Sequence, residues 1–224
     1  MFDLSLVLLG AIAWVPLMLT IMVAIKLVSP GPVFFRQRRI GFLGRPFLIF
    51  KFRSMKVDAE THTHERYVEL LMQRDAPLTK LDANDKRLIP FGRIFRATGL
   101  DELPQVFNVL RGEMSLVGPR PCTPNEFEKY RPDQRQRVNA PPGISGYWQV
   151  HGKNRTTFNE MIAMDLKYVR EMSLCLDCAI VLRTLFVLLQ DSLSAVGMVR
   201  KTKHNEKPGE VEPLLDFAPV ETKE

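Results

Sequence analysis

The stretch that decides the fold covers residues 96–121 and reads RATGLDELPQVFNVLRGEMSLVGPRP. Two adjacent carboxylates, Asp101 and Glu102, precede an apolar run with helical spacing. Pro104 is tolerated only in a first helical turn, where its missing N–H costs nothing. The pattern therefore predicts a helix that begins at the acid pair, with Asp101 near its cap, and ends at Gly112.

A position at a helix N-terminus would affect the chemistry of this acid pair. Free N–H groups and a partial positive charge attract phosphate there and keep a carboxylate ionised. An ionised Asp101 could attack phosphorus, and Glu102 could hold a hard cation that bridges phosphate oxygens. The alternative is a structural role, with Asp101 as an N-cap and Glu102 as a first-turn acid.

Composition limits the class of protein. The 224 residues predict one domain, or one domain with an appendage, and carry a net charge of +6, which favours an anionic partner. Three cysteines argue against a disulfide scaffold. Cys175 and Cys178 have no second pair for a zinc site, so we expect them to be buried thiols.

The N-terminus is an uncharged apolar stretch, Leu4 to Ile25, which is long enough to cross a bilayer. The basic flank that follows places the downstream chain in the cytoplasm. Pro16 leaves two geometries open: a kinked crossing, or a bend that returns both ends to the cytoplasm. We divide the chain into a membrane helix kinked near Pro16 (1–29), a cytoplasmic catalytic domain (30–200) and a disordered tail (201–224).

The rest of the chain predicts an α+β, mostly helical fold with short strands. Two strands, Val33–Phe35 and Phe47–Phe52, are joined by a turn through Gly41 and Gly44. Later elements are a charged surface helix or two at 127–138, a strand at 147–150, an amphipathic helix at 158–171, and an apolar helix at 179–189 that lies in the core or in the membrane interface.

Ordered blocks along nearly the whole chain carry a family resemblance: KFRSM at 51–55, PFGR at 90–93, LDELPQ at 100–105, VGPRP at 117–121 and PGI at 142–144. In these blocks the chain resembles the bacterial sugar transferases, the monotopic phosphoglycosyl transferases that begin surface-glycan assembly on polyprenol phosphate. The resemblance implies an enzyme of the bacterial inner membrane, facing the cytoplasm. Such an enzyme moves a phospho-sugar from a UDP-sugar to polyprenyl phosphate and releases UMP.

The resemblance also implies site roles. Asp101 takes the place of the nucleophile that forms a covalent phosphosugar intermediate, and Glu102 that of the residue associated with Mg²⁺. The expected substrate- and phosphate-binding residues are Arg96, Arg120, Lys51, Pro121, Gln105 and Lys153. Other arginines, Arg53, Arg93 and Arg111, are expected at lipid headgroups or in solvent.

Two departures from the family pattern affect these roles. Short family members carry a re-entrant helix broken at Ser-Pro, whereas this chain has Val15-Pro16. Many relatives have a basic residue where this chain has Pro141, so Arg137 or Lys153 would have to supply that cation.

Other readings stay open beside the transferase. One is a membrane-bound glycosyltransferase that releases UDP, and another is a non-enzymatic membrane-anchored scaffold. Nucleic acid is not an expected partner, because the positive charge clusters beside the membrane segment, where anionic headgroups explain it. The sugar is open among several UDP-sugars, and a homodimer is compatible with the broad apolar faces.

Overall fold

The computed structural model describes residues 2–57, 59, 69–75, 77, 85–152 and 155–202, with side chains described as far as residue 191. This part of the chain is mostly helical with a few short strands, as predicted. Its elements are α1 (Phe2–Leu9), α2 (Ala11–Val28), β1 (Phe34–Ile40), β2 (Pro46–Phe52), α3 (Gly92–Thr98), α4 (Val106–Leu110), β3 (Ser115–Val117), α5 (Pro124–Glu128), α6 (Pro132–Arg135), β4 (Gly143–Ser145), α7 (Tyr147–His151), α8 (Phe158–Glu171) and α9 (Leu174–Thr202). The tail predicted to be disordered lies outside the described residues beyond Thr202.

The N-terminal apolar stretch forms α1 and α2. Helix α2 is long and apolar enough to cross a membrane by length and composition, and 17% of it is buried. The interruption between the helices falls at Gly10, where the Trp14 indole N–H donates to the Val7 carbonyl at 2.8 Å. Pro16 lies inside α2, so the bend predicted near Pro16 stays a prediction.

Both ends of this helix pair are attached to the rest of the protein. Near the start, the Asp3 carboxylate accepts a hydrogen bond from the Ser115 hydroxyl at 2.9 Å. Near the end, the Arg53 guanidinium donates to the carbonyls of Ser29 at 3.0 Å and Pro30 at 2.6 Å. Arg53 is 5% exposed, so the prediction of a headgroup or solvent role for Arg53 is wrong: its charge satisfies carbonyls at the end of α2.

Strands β1 and β2 form an antiparallel hairpin, longer than the predicted strands but with the predicted turn. Directly opposed residues share a face, so Phe35, Gln37 and Arg39 lie on the same side as Lys51, Ile49 and Phe47. We call this the inner face. The outer face pairs Phe34 with Phe52 and Arg36 with Phe50.

The acid stretch folds as predicted, with one difference. Helix α3 ends at Gly99, whose φ of +72° turns the chain into a 3-10 segment, Leu100–Gln105, that continues into α4. Asp101 is thus the second residue of the 3-10 segment rather than a cap. The predicted stop is confirmed, because α4 ends at Leu110 and Gly112 has a φ of +71°.

A two-stranded parallel ladder joins distant loops. Strand β3 pairs with β4, and the Gly118 N–H donates to Ser145 O at 2.9 Å. A Cβ on Gly118 would lie 2.2 Å from the Pro141 carbonyl oxygen, and one on Gly143 would lie 2.0 Å from the Gly118 nitrogen. Only glycine therefore permits this backbone-on-backbone contact.

The strand predicted at 147–150 is wrong, because these residues form helix α7. The helical turn stacks Tyr147 on His151 with ring centroids 4.1 Å apart, and His151 Nδ1 bonds the Tyr147 carbonyl at 2.8 Å. This (i, i+4) pairing outweighs the β propensity of the aromatic and β-branched residues. Helix α8 has the predicted bounds.

Helix α9 has two apolar faces. Ile180 is 1% exposed on the face packed against the domain, where Thr184 bonds Ser145 at 2.6 Å. The opposite face leaves apolar side chains in the open: Leu174, Leu182, Leu185, Phe186 and Leu189. Cys175 and Cys178 are exposed as well, so the prediction that they are buried is wrong.

Candidate active site

Asp101 lies at the start of the helical segment that leads into α4. The Glu102 N–H donates to the Gly99 carbonyl at 3.0 Å, which closes the turn around it. Asp101 is 8% exposed. The first turn of a helical segment presents backbone N–H groups that can face an anion such as a phosphate.

Glu102 is paired with Lys51. The Lys51 Nζ and Glu102 Oε1 atoms are 2.6 Å apart, and the side chains are 25% and 35% exposed. The inner face of the hairpin thus contributes a cation to the acid pair, and the predicted substrate- or phosphate-binding role of Lys51 stays a prediction.

Asn108 fixes the strand that carries Lys51. It is fully buried, its Oδ1 accepts from the Phe50 N–H at 3.1 Å, and its Nδ2 donates to Leu48 O at 2.7 Å and to Glu113 at 2.6 Å. The amide therefore takes the place of a third strand at the edge of β2. No role was predicted for Asn108, because its partners Phe50 and Leu48 lie 58 and 60 positions earlier in the chain.

Arg120 belongs to a buried charge cluster. Its guanidinium lies 3.1 Å from the Glu126 carboxylate, which is also 3.9 Å from the guanidinium of Arg39. Burial acts to raise the pKa of Glu126, but the charges of Arg120 and Arg39 hold that pKa below its usual range. Burial and the Arg120 charge lower the pKa of Arg39 to about 10, so Arg39 stays charged at neutral pH.

Arg137 lies below this cluster and is 2% exposed. It donates to the Tyr130 hydroxyl at 2.6 Å and to the Arg120 carbonyl at 2.9 Å, and it forms an ion pair with Asp165. Burial raises the pKa of Asp165 to about 6, against the opposing charge of Arg137. Arg137 was one of two candidates for the cation missing at Pro141, and its burial and its pairing with Asp165 argue against that candidate.

The inner face of the hairpin links the two halves of the site. Arg39 and Lys51 project from this face, two same-face steps or about 14 Å apart along the strands. Arg39 donates to the Pro121 carbonyl at 3.1 Å, and the Glu102 charge raises the pKa of Arg39 slightly against the larger effect of burial. The inner face of the hairpin thus connects the acid pair to the Gly-Pro-Arg-Pro loop.

The remaining predicted residues lie in different settings. Arg96 is in the last turn of α3, where its charge contributes to a lowered pKa of Asp85. Gln105 is 2% exposed and lies beneath the surface of the site. Pro121 offers its carbonyl to Arg39, and Lys153 lies outside the described residues.

The residues present fit a hard divalent cation. Asp101 and Glu102 offer carboxylate oxygens, the ligands that Mg²⁺ prefers. Among the described residues no group of three or more His, Cys, Asp or Glu could hold a metal alone. Mg²⁺ sites in phosphate-handling enzymes commonly use one or two carboxylates together with substrate phosphates, so the acid pair is sufficient.

Comparison with known proteins identifies the family of this chain. The family model described as bacterial sugar transferase matches residues 1–191. The chain is 45% identical over 160 residues to the galactosyl transferase CpsE of Streptococcus agalactiae, which covers 71% of this chain. It is 46% identical over 177 residues to a UDP-glucose:undecaprenyl-phosphate glucose-1-phosphate transferase of Xanthomonas campestris, which covers 75% of this chain.

A third relative matches over most of its own length. The exopolysaccharide production protein ExoY of Sinorhizobium fredii is 35% identical over 185 residues, which are 82% of each chain. By contrast, the chain spans only 35% of CpsE and 34% of the Xanthomonas enzyme. With the family model matched over residues 1–191 and relatives at these identities, the chain belongs to the bacterial sugar transferase family.

Proposed function

We propose that this protein is a phosphoglycosyl transferase that moves a phospho-sugar from a UDP-sugar to polyprenyl phosphate and releases UMP. The observation that carries the proposal is the acid pair at the start of a helical segment, with Glu102 held by Lys51. Relatives named for this type of transfer to undecaprenyl phosphate are 46%, 40% and 38% identical to the chain. The relatives named exopolysaccharide production protein favour a place at the start of surface-glycan assembly.

The reaction proceeds in two displacements at one phosphorus atom. A carboxylate oxygen of Asp101 attacks the sugar-linked phosphorus of the donor, and the bond to the bridging oxygen breaks, so that UMP leaves with that oxygen and its electron pair. A phosphate oxygen of polyprenyl phosphate then attacks the phosphorus of the aspartyl phosphosugar. The bond to Asp101 breaks, and the carboxylate is restored.

Charge placement in this chain suits both steps. Bound Mg²⁺ would offset the negative charge that grows on the diphosphate oxygens. Lys51 keeps Glu102 in position beside Asp101, and Glu126 keeps the Arg120 guanidinium oriented for a phosphate. The burial of Asp101 excludes water that would compete with the acceptor.

The contacts at the two ends of the apolar helix pair also favour a membrane location. The attachments of Asp3 to Ser115 and of Arg53 to Ser29 bring both ends of the apolar helix pair onto one domain, which favours a segment that enters the bilayer and returns. The exposed apolar face of α9 offers a second contact with lipid. The catalytic domain would then face the cytoplasm, where UDP-sugars are made.

Topology is tested with single cysteines introduced at residue 2 and residue 27 of a variant free of its native cysteines. In intact cells a membrane-impermeant thiol reagent should label neither position, and both should react after the inner membrane is opened. Labelling of residue 2 alone in intact cells would show a crossing helix.

The reaction is tested by nucleotide release from a panel of UDP-sugars with undecaprenyl phosphate and Mg²⁺. The wild-type protein should release UMP with one donor, and Asp101→Asn should lose on the order of 10³-fold or more in rate. Asp133→Asn is the matched control, because Asp133 is an exposed surface carboxylate paired with Arg131.

Three other outcomes would contradict the proposal. Release of UDP would identify a glycosyltransferase that cleaves the sugar–oxygen bond. Near wild-type rates in Asp101→Asn would exclude the covalent route. Release of no nucleotide from any donor in a panel that spans glucose, galactose, N-acetylated and diamino sugars would favour the membrane scaffold.

A further inference from the structure

Gln37 occupies the middle of the hairpin's inner face. It is the residue opposite Ile49, one same-face step from Arg39 on its own strand and one step from the row that holds Lys51, about 7 Å in each direction. Ile49 beside it is 2% exposed, whereas Gln37 is only partly buried. A polar side chain thus stands between the cation of the acid pair and the cations of the Arg120 cluster.

The orientation of the Gln37 amide is fixed by Arg39. The Arg39 Nη2 atom lies 2.6 Å from Gln37 Oε1. A guanidinium can only donate hydrogen bonds, so the amide atom that faces it is the oxygen. The amide NH₂ group is therefore directed away from Arg39, and no described residue accepts a hydrogen bond from its nitrogen.

Arg39 is itself buried and hydrogen-bonded. It is 7% exposed and donates to the Pro121 carbonyl at 3.1 Å, beside the Glu126 carboxylate. A buried guanidinium with these two partners favours one orientation of the Gln37 amide before any ligand arrives.

Three cations lie near this donor, paired with the carboxylates of Glu102 and Glu126. Lys51 and Arg39 flank it on the same face, and Arg120 lies beyond Arg39 across Glu126. We propose that Gln37 donates a hydrogen bond to the diphosphate of the UDP-sugar, which would lie between the acid pair and Arg120. This inference rests on the proposed function.

The test measures UDP binding by calorimetry in the presence of Mg²⁺, with the full chain carrying Asp101→Asn so that no transfer accompanies binding. Gln37→Glu keeps an oxygen for Arg39 but replaces the donor by a carboxylate that faces the diphosphate. We expect the Kd of UDP to rise at least tenfold, or about 1.4 kcal/mol. Gln37→Ala should raise the Kd by a smaller factor, because it adds no repulsion.

The matched control is Arg38→Gln. Arg38 is the next residue of β1, exposed on the outer face, and its substitution lowers the net charge by the same amount as Gln37→Glu. This control should bind UDP within twofold of the parent. All three variants should melt within about 2 °C of the parent, which excludes loss of the hairpin as the cause.

Two results would overturn the inference while the proposed function stands: an unchanged UDP Kd in Gln37→Glu, or an equal loss in Arg38→Gln. In both cases the wild-type protein would still release UMP in an Asp101-dependent way. A parent chain that neither binds UDP nor, as wild type, releases UMP would overturn the proposed function and this inference together.

Discussion

Replacement of Asn108 by alanine should destabilise the whole protein through one side chain. The substitution leaves the Phe50 N–H, the Leu48 carbonyl and the Glu113 carboxylate without their buried partner. Two neutral hydrogen bonds at about 1 kcal/mol each and one to a carboxylate at about 2 kcal/mol give a loss of about 4 kcal/mol. For a chain of this size that loss lowers Tm by about 8–16 °C.

The assay is thermal unfolding followed by tryptophan fluorescence in one fixed detergent. Asn159→Ala is the control, because Asn159 is exposed and its side chain contacts only the exposed Asp75 and, at 3.4 Å, Gln134 among the described residues. Asn108→Asp adds a diagnostic readout: the carboxylate faces Glu113 and an oxygen of Leu48, so its destabilisation should shrink as pH falls and the new carboxyl becomes able to donate. A Tm for Asn108→Ala within 2 °C of wild type would refute the reasoning that this amide holds the edge of β2.

Three further predictions concern buried charge and close backbone contact. The charges around Glu126 lower its pKa in the folded protein, so its ionised form stabilises the fold at pH values above the ordinary pKa of a glutamate. That stabilisation is lost as the pH falls through the lower pKa of the folded state. Glu126→Gln should therefore flatten the acid side of a profile of Tm against pH. Arg137→Met leaves the buried Asp165 carboxylate without its partner and should lower the free energy of unfolding by about 3–5 kcal/mol. The double variant with Asp165→Leu should recover most of this loss, and a double variant as unstable as the single one would contradict the prediction. Gly118→Ala places a Cβ 2.2 Å from a carbonyl oxygen and should lower both Tm and UMP release, whereas Gly112→Ala, whose Cβ meets nothing within 4 Å, should cost only about 1–2 kcal/mol for its left-handed φ.

The parts of the fold that sequence predicted are those set by local rules. The hairpin turn needs glycines, Pro104 is allowed only in a first helical turn, and Gly112 supports a positive φ. Each of these features is therefore determined by a few neighbouring residues. The amphipathic helix α8 was equally local. The turn at α7 was not predicted, because aromatic and β-branched residues favour strand until an (i, i+4) contact is known.

The candidate site divides in the same way. Asp101, Glu102 and Lys51 are recognisable in their motifs, and the structure places the last two in contact. The burial of Arg137 could not be predicted, because an arginine in a charged segment is expected at the protein surface. Its buried partner, Asp165, lies 28 positions away in the chain. The role of Asn108 likewise depends on a strand 58 residues earlier.

The glycine contact between β3 and β4 has a consequence for how the family can vary. Where two backbones touch with no side chain between them, neither loop can shift to accommodate a larger or smaller ligand. The loop that carries Arg120 is therefore held in one position, which suits the diphosphate that all UDP-sugars share. If the proposed function holds, we expect a new sugar preference to arise in other segments, because a change that displaced this loop would weaken binding of the diphosphate.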